Sequence, residues 1–197
     1  MTSRSPRIGL FGGTFDPPHN AHVALAHAAL EALRLDALRW IPAGQPWQKS
    51  RTITAAPDRE AMVRLAIAGE PRFELDRCEL ARDGPSYTID TVRALHAQHP
   101  AAALFLIIGA DQYAGLHTWH GWQELLALVT LAVANRPGPH PGPDPQVQRV
   151  AHRVVPLPML DISATEIRAR VSQGLPIDSM VPPPVARYID LHQLYRD

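Results

Sequence analysis

Apolar residues in this chain fall into two alternating patterns: short continuous runs and longer stretches at helical spacing. The runs cover residues 7–11, 38–42, 73–75, 103–108, 130–134 and 153–156. The third-last of the strong ones, Leu104-Phe105-Leu106-Ile107-Ile108, is unbroken and suits a strand covered on both faces. Between the runs, Val23, Ala26, Leu30 and Leu33 recur at helical spacing. A second helix opens on Pro57-Asp58-Arg59-Glu60, a proline and acids in a first turn, and would bury Met62, Leu65, Ala66 and Gly69. A third runs from about Tyr87 to His99 with Ile89, Val92 and Leu95 inward. This alternation predicts an α/β, Rossmann-like, doubly wound and mainly parallel sheet with helices on both faces. The chain, residues 1–197, reads as a single domain whose last part, from about residue 160, is a small helical segment. Residues 137–145 carry proline at every second position and read as a loop without chemistry.

Composition narrows the function. Apolar residues make up 46% of the chain, enough for a sizeable core, and 19 basic residues balance 19 acidic ones. A net charge of zero argues against nucleic acid or an anionic membrane bound through bulk charge. The single cysteine, Cys78, excludes an intramolecular disulfide and a cysteine-rich zinc site, and fits a reducing compartment. The first six residues lack the apolar core of a signal peptide, and no apolar run reaches the roughly 18 residues of a membrane span. A cytoplasmic setting is expected, and a homo-oligomer stays open.

The chemistry concentrates at strand ends, where open parallel sheets bind ligands. The first run leads into Gly12-Gly13-Thr14-Phe15-Asp16-Pro17-Pro18-His19-Asn20-Ala21-His22. Glycines let a backbone approach a ligand closely, and a helix start offers unpaired N–H groups and the positive end of the dipole. His19 and His22, three apart, share one face of the first helical turn. An isolated histidine usually caps or is solvated; the strand and glycines ahead of this pair favour phosphate contact. Ser163-Ala164-Thr165-Glu166-Ile167-Arg168 has the spacing of a capping box and forms a second helix start with an arginine one turn in. Gly109-Ala110-Asp111 and Arg136 follow later strands, and Lys49 lies in the loop after the second strand, with Arg59 nearby in sequence. Trp119 is either core or a stacking platform, and Ser86-Tyr87-Thr88 either starts a helix or binds a polar group. The G-x-G-x-x-G fingerprint is absent, which argues against NAD or FAD held as a hydride carrier. No second ligand cluster accompanies the histidines, so no protein-held metal is expected. The pattern points to a nucleoside triphosphate.

Together these segments resemble the bacterial nicotinate-nucleotide adenylyltransferases, within the nucleotidyltransferase superfamily that carries an H-x-G-H signature. The resemblance runs from Gly12–His22 through the Lys49 loop, Ser86–Thr91, Ile107–Asp111, Trp119, Arg136-Pro137 and Ile162–Arg168 to a tail closing at Leu194-Tyr195. It implies transfer of AMP from ATP to nicotinate mononucleotide, giving deamido-NAD and pyrophosphate. A phosphate is already an anionic nucleophile, so catalysis would be positioning plus charge neutralisation. His19 and His22 would hold the α- and β-phosphates, best as imidazolium, with activity falling at high pH. Lys49 and Arg168, with Ser163 and Thr165, would steady the leaving pyrophosphate. Gly12, Gly13, Thr14, Phe15, Arg136 and Ile162 would complete the ATP site, with Gly109 and Asp111 against the adenosine. Ser86, Tyr87, Thr88, Trp119 and His120 would receive the pyridine nucleotide, Trp119 by stacking. Thr88 and backbone N–H groups near Trp119 and His120 would meet the carboxylate and disfavour the amide. Mg²⁺ would bridge phosphate oxygens and keep mostly water ligands. Two positions depart from the family pattern: Ala21 stands for the signature glycine, and Ala164 for a serine. The alternatives are another nucleotidyltransferase, for example one acting on phosphopantetheine, and a non-catalytic nucleotide sensor.

Overall fold

The computed structural model describes residues 4–45, 53–135, 142–157 and 160–196. The chain runs β1 (Arg7–Gly13), α1 (Asn20–Ala32), β2 (Ala37–Pro42), α2 (Ala56–Ile67), β3 (Phe73–Leu75) and α3 (Thr88–Gln98). It continues with β4 (Ala103–Gly109), α4 (Ala110–Ala114), a 3-10 turn at Leu116–Thr118, α5 (Trp122–Leu128) and β5 (Thr130–Asn135). The last elements are α6 (Pro145–Gln148), β6 (His152–Pro156), α7 (Ala164–Ser172) and α8 (Pro183–Leu191). Among the described residues the strands form one parallel sheet in the order β3-β2-β1-β4-β5-β6.

The apolar runs become buried strands because side chains alternate across the sheet and both faces are covered. Leu104, Leu106 and Ile108 of β4 join Ile8, Leu10, Leu131 and Val133 on one face, under Ile89, Val92 and Leu95 of α3 and Leu125 of α5. Phe105 and Ile107 join Phe11, Ala132 and Ala134 on the other, under Leu25, Ala26, Ala29 and Leu30 of α1 and Val63 and Ile67 of α2. The C-terminal helices form a further layer: Ile167, Val181, Val185 and Ile189 pack around Met62 of α2 rather than on the sheet. The doubly wound sheet and the helical tail are therefore as the sequence predicts.

Three details differ. β1 extends two residues further, because Gly12 and Gly13 pair with Ile41 and Pro42 of β2. The glycines are thus strand, not turn; the left-handed backbone lies at Phe15, with φ 50°. The inward face of α2 is Arg59, Met62, Val63 and Ile67, while Leu65 is half-buried and Gly69 is exposed beyond the helix end. This helix is covered from two sides, by the sheet and by α8, so a single stripe does not describe it.

From β1 the chain moves outward to β2 and β3, then returns to place β4 on the other side of β1. Such a reversal opens a crevice beyond the carboxyl ends of the central strands.

Candidate active site

That crevice is a cleft of about 710 Å³. From β1 and the following turn, Gly12, Gly13, Thr14 and Phe15 form its floor. A side chain at Gly13 would meet the Phe15 ring at 2.9 Å, so this glycine makes room for the turn, while a Cβ at Gly12 would only touch the Ile41 carbonyl oxygen at 4.0 Å. The Phe15 ring is 2% exposed and packs edge-on against Phe11 and His22, with ring centres 5.5 and 5.2 Å away. This packing holds a bulky residue in a left-handed conformation it would otherwise leave.

His19 caps α1 and His22 sits in its first turn; both line the cleft. Their rings stack with centres 3.6 Å apart and planes 25° apart. The His19 backbone N–H donates to His22 Nδ1 at 3.2 Å. A backbone N–H can only donate, so Nδ1 is the acceptor and Nε2 carries the proton. His22 can thus donate to an anion as the Nε2–H tautomer. Ala21, 3% exposed, adds its methyl to the cleft wall where the signature has glycine.

The opposite wall comes from the start of α7. Ser163 caps this helix, its Oγ accepting from the Glu166 N–H at 3.1 Å. Ala164, Thr165 and Arg168 face the cleft, and Arg168 donates to Thr165 Oγ1 at 3.2 Å. Gly109 at the end of β4, Ser86 and Thr88 at the start of α3, and Trp119 complete the residues expected from the sequence that line it. Trp119 both lines the cleft and packs on the core.

Five expected residues lie off the cleft wall. Ser163 acts as the cap, Ile162 packs against the C-terminal cluster, and Asp111 is exposed in the first turn of α4. Tyr87 packs against His120, with ring centres 4.6 Å apart. Lys49 and Arg136 lie outside the described residues.

Sequence reasoning misses Glu79 and misplaces Arg59. Arg59, a rim candidate by sequence, is 2% exposed and lies beneath the cleft. Its guanidinium donates to the carbonyls of Thr54 at 2.9 Å, Thr14 at 3.0 Å and, weakly, Gly44 at 3.4 Å. Burial pulls its pKa down, and the Asp16 carboxylate holds it up. Glu79, 7% exposed, lines the cleft beside Ser86 and Thr88. Burial pushes its carboxyl pKa up, against hydrogen bonds from Thr91 and Ser86 that pull it down. Thr91 Oγ1 donates to Glu79 at 2.8 Å and accepts from Arg82 at 3.3 Å. Ser86 Oγ accepts from the N–H groups of Gly44 and Gln45 at 3.1 and 3.3 Å, tying α3 to the loop after β2. Gly44 is required there: a Cβ would lie 2.1 Å from the Glu79 carbonyl oxygen. A lone acid between elements gives no local signal of such a network.

Residues 10–170 match the cytidylyltransferase-like family. The probable nicotinate-nucleotide adenylyltransferase of Methylibium petroleiphilum is 52% identical over 195 residues, covering 96% of this chain and 92% of that protein. The chain belongs to the nicotinate-nucleotide adenylyltransferase family. The family member from Albidiferax ferrireducens is 48% identical, covering 96% of this chain and 98% of that protein. In fold, the chain is similar to the nicotinic acid mononucleotide adenylyltransferase of Plasmodium falciparum solved with NaAD, at a TM-score of 0.81 and 18% identity. That match covers 96% of this chain and 97% of the other, and the same enzyme complexed with APC aligns at a TM-score of 0.79. Membership in the nicotinate-nucleotide adenylyltransferase family agrees with a cleft that opens on two helix starts.

Proposed function

We propose that this cleft transfers the adenylyl group of ATP to nicotinate mononucleotide, giving deamido-NAD and pyrophosphate. The observation that carries the reading is geometric: the starts of α1 and α7, bearing His19, His22, Thr165 and Arg168, line one cleft at the β1/β4 reversal. Two dipole ends and several N–H donors converging on one space suit a polyphosphate.

In the reaction, an oxygen of the mononucleotide's 5′-phosphate bonds to the α-phosphorus, and the bond from that phosphorus to the bridging oxygen of pyrophosphate breaks. The nucleophile is anionic at neutral pH, so the protein's part is alignment and stabilisation of charge. His22 donates from Nε2 and His19 lies stacked against it, so the pair faces α- and β-phosphate oxygens. Arg168 and Thr165 take the leaving end. Gly12 lines the cleft without a side chain, which lets a phosphate approach the backbone. Ser86, Thr88 and Trp119, carried by the start of α3 and the segment before α5, receive the pyridine nucleotide. His19, His22, Thr165 and Arg168 offer donors that complement phosphate oxygens, while the Asp16 carboxylate nearby is engaged by Tyr195 and the Thr54 N–H. Among the described residues no cluster of metal-ligating side chains is found, so Mg²⁺ would enter with the ATP phosphates and would supply charge neutralisation there. No helix among the described residues is long and apolar enough to cross a membrane, and a cytoplasmic setting suits such substrates.

The test is pyrophosphate release with ATP and Mg²⁺ and, in turn, nicotinate mononucleotide, nicotinamide mononucleotide or phosphopantetheine. Strong preference for the first is expected. Preference for phosphopantetheine would keep the phosphate end and overturn the roles of Thr88 and Trp119. ATP binding without release in any mixture would make the protein a nucleotide sensor.

A further inference from the structure

The family match ends at residue 170, yet a residue close to the end of the chain reaches the phosphate end of the cleft. The Tyr195 hydroxyl donates to Asp16 Oδ1 at 2.7 Å, across 179 positions of sequence. Asp16 is 2% exposed and stands between Phe15 and the histidine pair. Its Oδ2 accepts from the Thr54 N–H at 3.4 Å, and the Arg59 guanidinium supplies the nearby positive charge. Its main-chain carbonyl accepts from Arg168 Nη1 at 2.8 Å. Asp16 is therefore a junction. Its side chain binds the C-terminal tail and the loop before α2, and its backbone holds the arginine that lines the cleft.

The backbone on each side of this hydrogen bond is in the left-handed region. Phe15 has φ 50° and Tyr195 has φ 63°, with Gln193 at 52°. Non-glycine residues keep such angles only where the surroundings fix them. Burial beside the Asp16 carboxylate pushes the Tyr195 hydroxyl pKa up, so it stays a donor through the neutral range.

We propose that Tyr195 is a positioning residue for the nucleotide site: through Asp16 it holds the turn between β1 and α1 and the Arg168 guanidinium in the arrangement that receives the triphosphate. This rests on the reading of the cleft as an ATP site. Without the hydroxyl, a buried carboxylate oxygen loses its donor and Asp16 must seek another, drawing its carbonyl away from Arg168. A tail that only clasped the fold would change the melting temperature and nothing else.

The two meanings separate in the full chain with Tyr195→Phe, which removes one hydroxyl. Two quantities are read at 25 °C, well below unfolding: the ATP dissociation constant by calorimetry without acceptor, and kcat and KM with nicotinate mononucleotide. The expected result is ATP binding weaker by about fivefold to tenfold and kcat lower by about tenfold, the scale of one misplaced charge-assisted contact. KM for nicotinate mononucleotide should stay within about twofold, because Tyr195 acts on the β1–α1 turn and on Arg168, whereas Thr88 and Trp119 are carried by α3 and the segment before α5. Asp16→Asn should cost less in the Tyr195→Phe background than in the unaltered chain, since both act through one hydrogen bond. Unchanged ATP affinity and kcat in Tyr195→Phe, with only a lower melting temperature, would overturn the proposal. If the unaltered chain binds ATP but releases no pyrophosphate, the transferase reading falls and the ATP constant alone decides on Tyr195. If it does not bind ATP, both fall. Tyr195→Ala serves as the harsher variant, and Tyr195→Phe decides should that one unfold.

Discussion

Replacing Arg59 by methionine keeps most of the side-chain volume and removes a buried cation from beneath the cleft. Arg59 donates to the Thr54 and Thr14 carbonyls at 2.9 and 3.0 Å; the 3.4 Å contact to Gly44 is too long to count fully. Hydrogen bonds from a charged donor contribute about 1.5–3 kcal/mol each, so two of them amount to about 3–6 kcal/mol. The cost of burying the guanidinium, visible in its lowered pKa, offsets part of this. The loss of a nearby positive charge for the buried Asp16 carboxylate adds to it. A net destabilisation of about 3–5 kcal/mol remains once the two charged-donor bonds are set against the cost of burial. At about 2–4 °C per kcal/mol for a chain of this size, the melting temperature should fall by about 6–20 °C. Thermal unfolding followed by circular dichroism measures this, with urea unfolding as a check that the m-value is unchanged. Arg59→Lys should fall between, because a lysine keeps the charge but cannot span the carbonyls. A drop below about 3 °C in Arg59→Met would refute the reasoning, since the carbonyls and Asp16 would then have found other partners at no cost.

Four further outcomes follow from the same geometry. Gly44→Ala places a methyl 2.1 Å from the Glu79 carbonyl oxygen, so the loop after β2 must shift; a stability loss of at least about 2 kcal/mol in urea is expected, on the scale of overpacking. Glu79 keeps its proton to higher pH when folded than when unfolded. The native state then binds more protons above the ordinary carboxyl value of 4.5, and stability falls as pH rises through that window. Glu79→Gln should flatten this fall, and parallel stability–pH curves for the two proteins would contradict it. His22→Ala and His19→Ala should each lower kcat by at least about a hundredfold with the fold retained by circular dichroism, the size of lost preorganised donors; near-normal turnover in both would remove the histidine pair from the mechanism. Trp119→Ala should raise KM for nicotinate mononucleotide more than it lowers kcat, and an unchanged KM would make Trp119 core alone.

Local pattern was enough for the sheet because its strands are buried on both faces, which leaves continuous apolar runs such as Leu104–Ile108. It was enough, too, for the two helix starts, because His19/His22 and Ser163/Glu166 are set by spacing within one helical turn. It misjudged the length of β1, because glycine's local preference for turns yields to a neighbouring strand that pairs with Gly12 and Gly13. Which side chains face the cleft was decided only in three dimensions. Thr88 lines it while Tyr87 packs on His120, and Thr165 lines it while Ser163 caps. Adjacent residues of a helix start diverge by about 100°, so nearness in sequence to a site residue does not place a side chain in the site. The buried polar junctions were invisible for a different reason. Arg59 meets Thr14 across 45 positions, and Tyr195 meets Asp16 across 179. A charge or a hydroxyl carries no periodic signature of its partner, and burying it is favourable only once the fold brings that partner within hydrogen-bond reach.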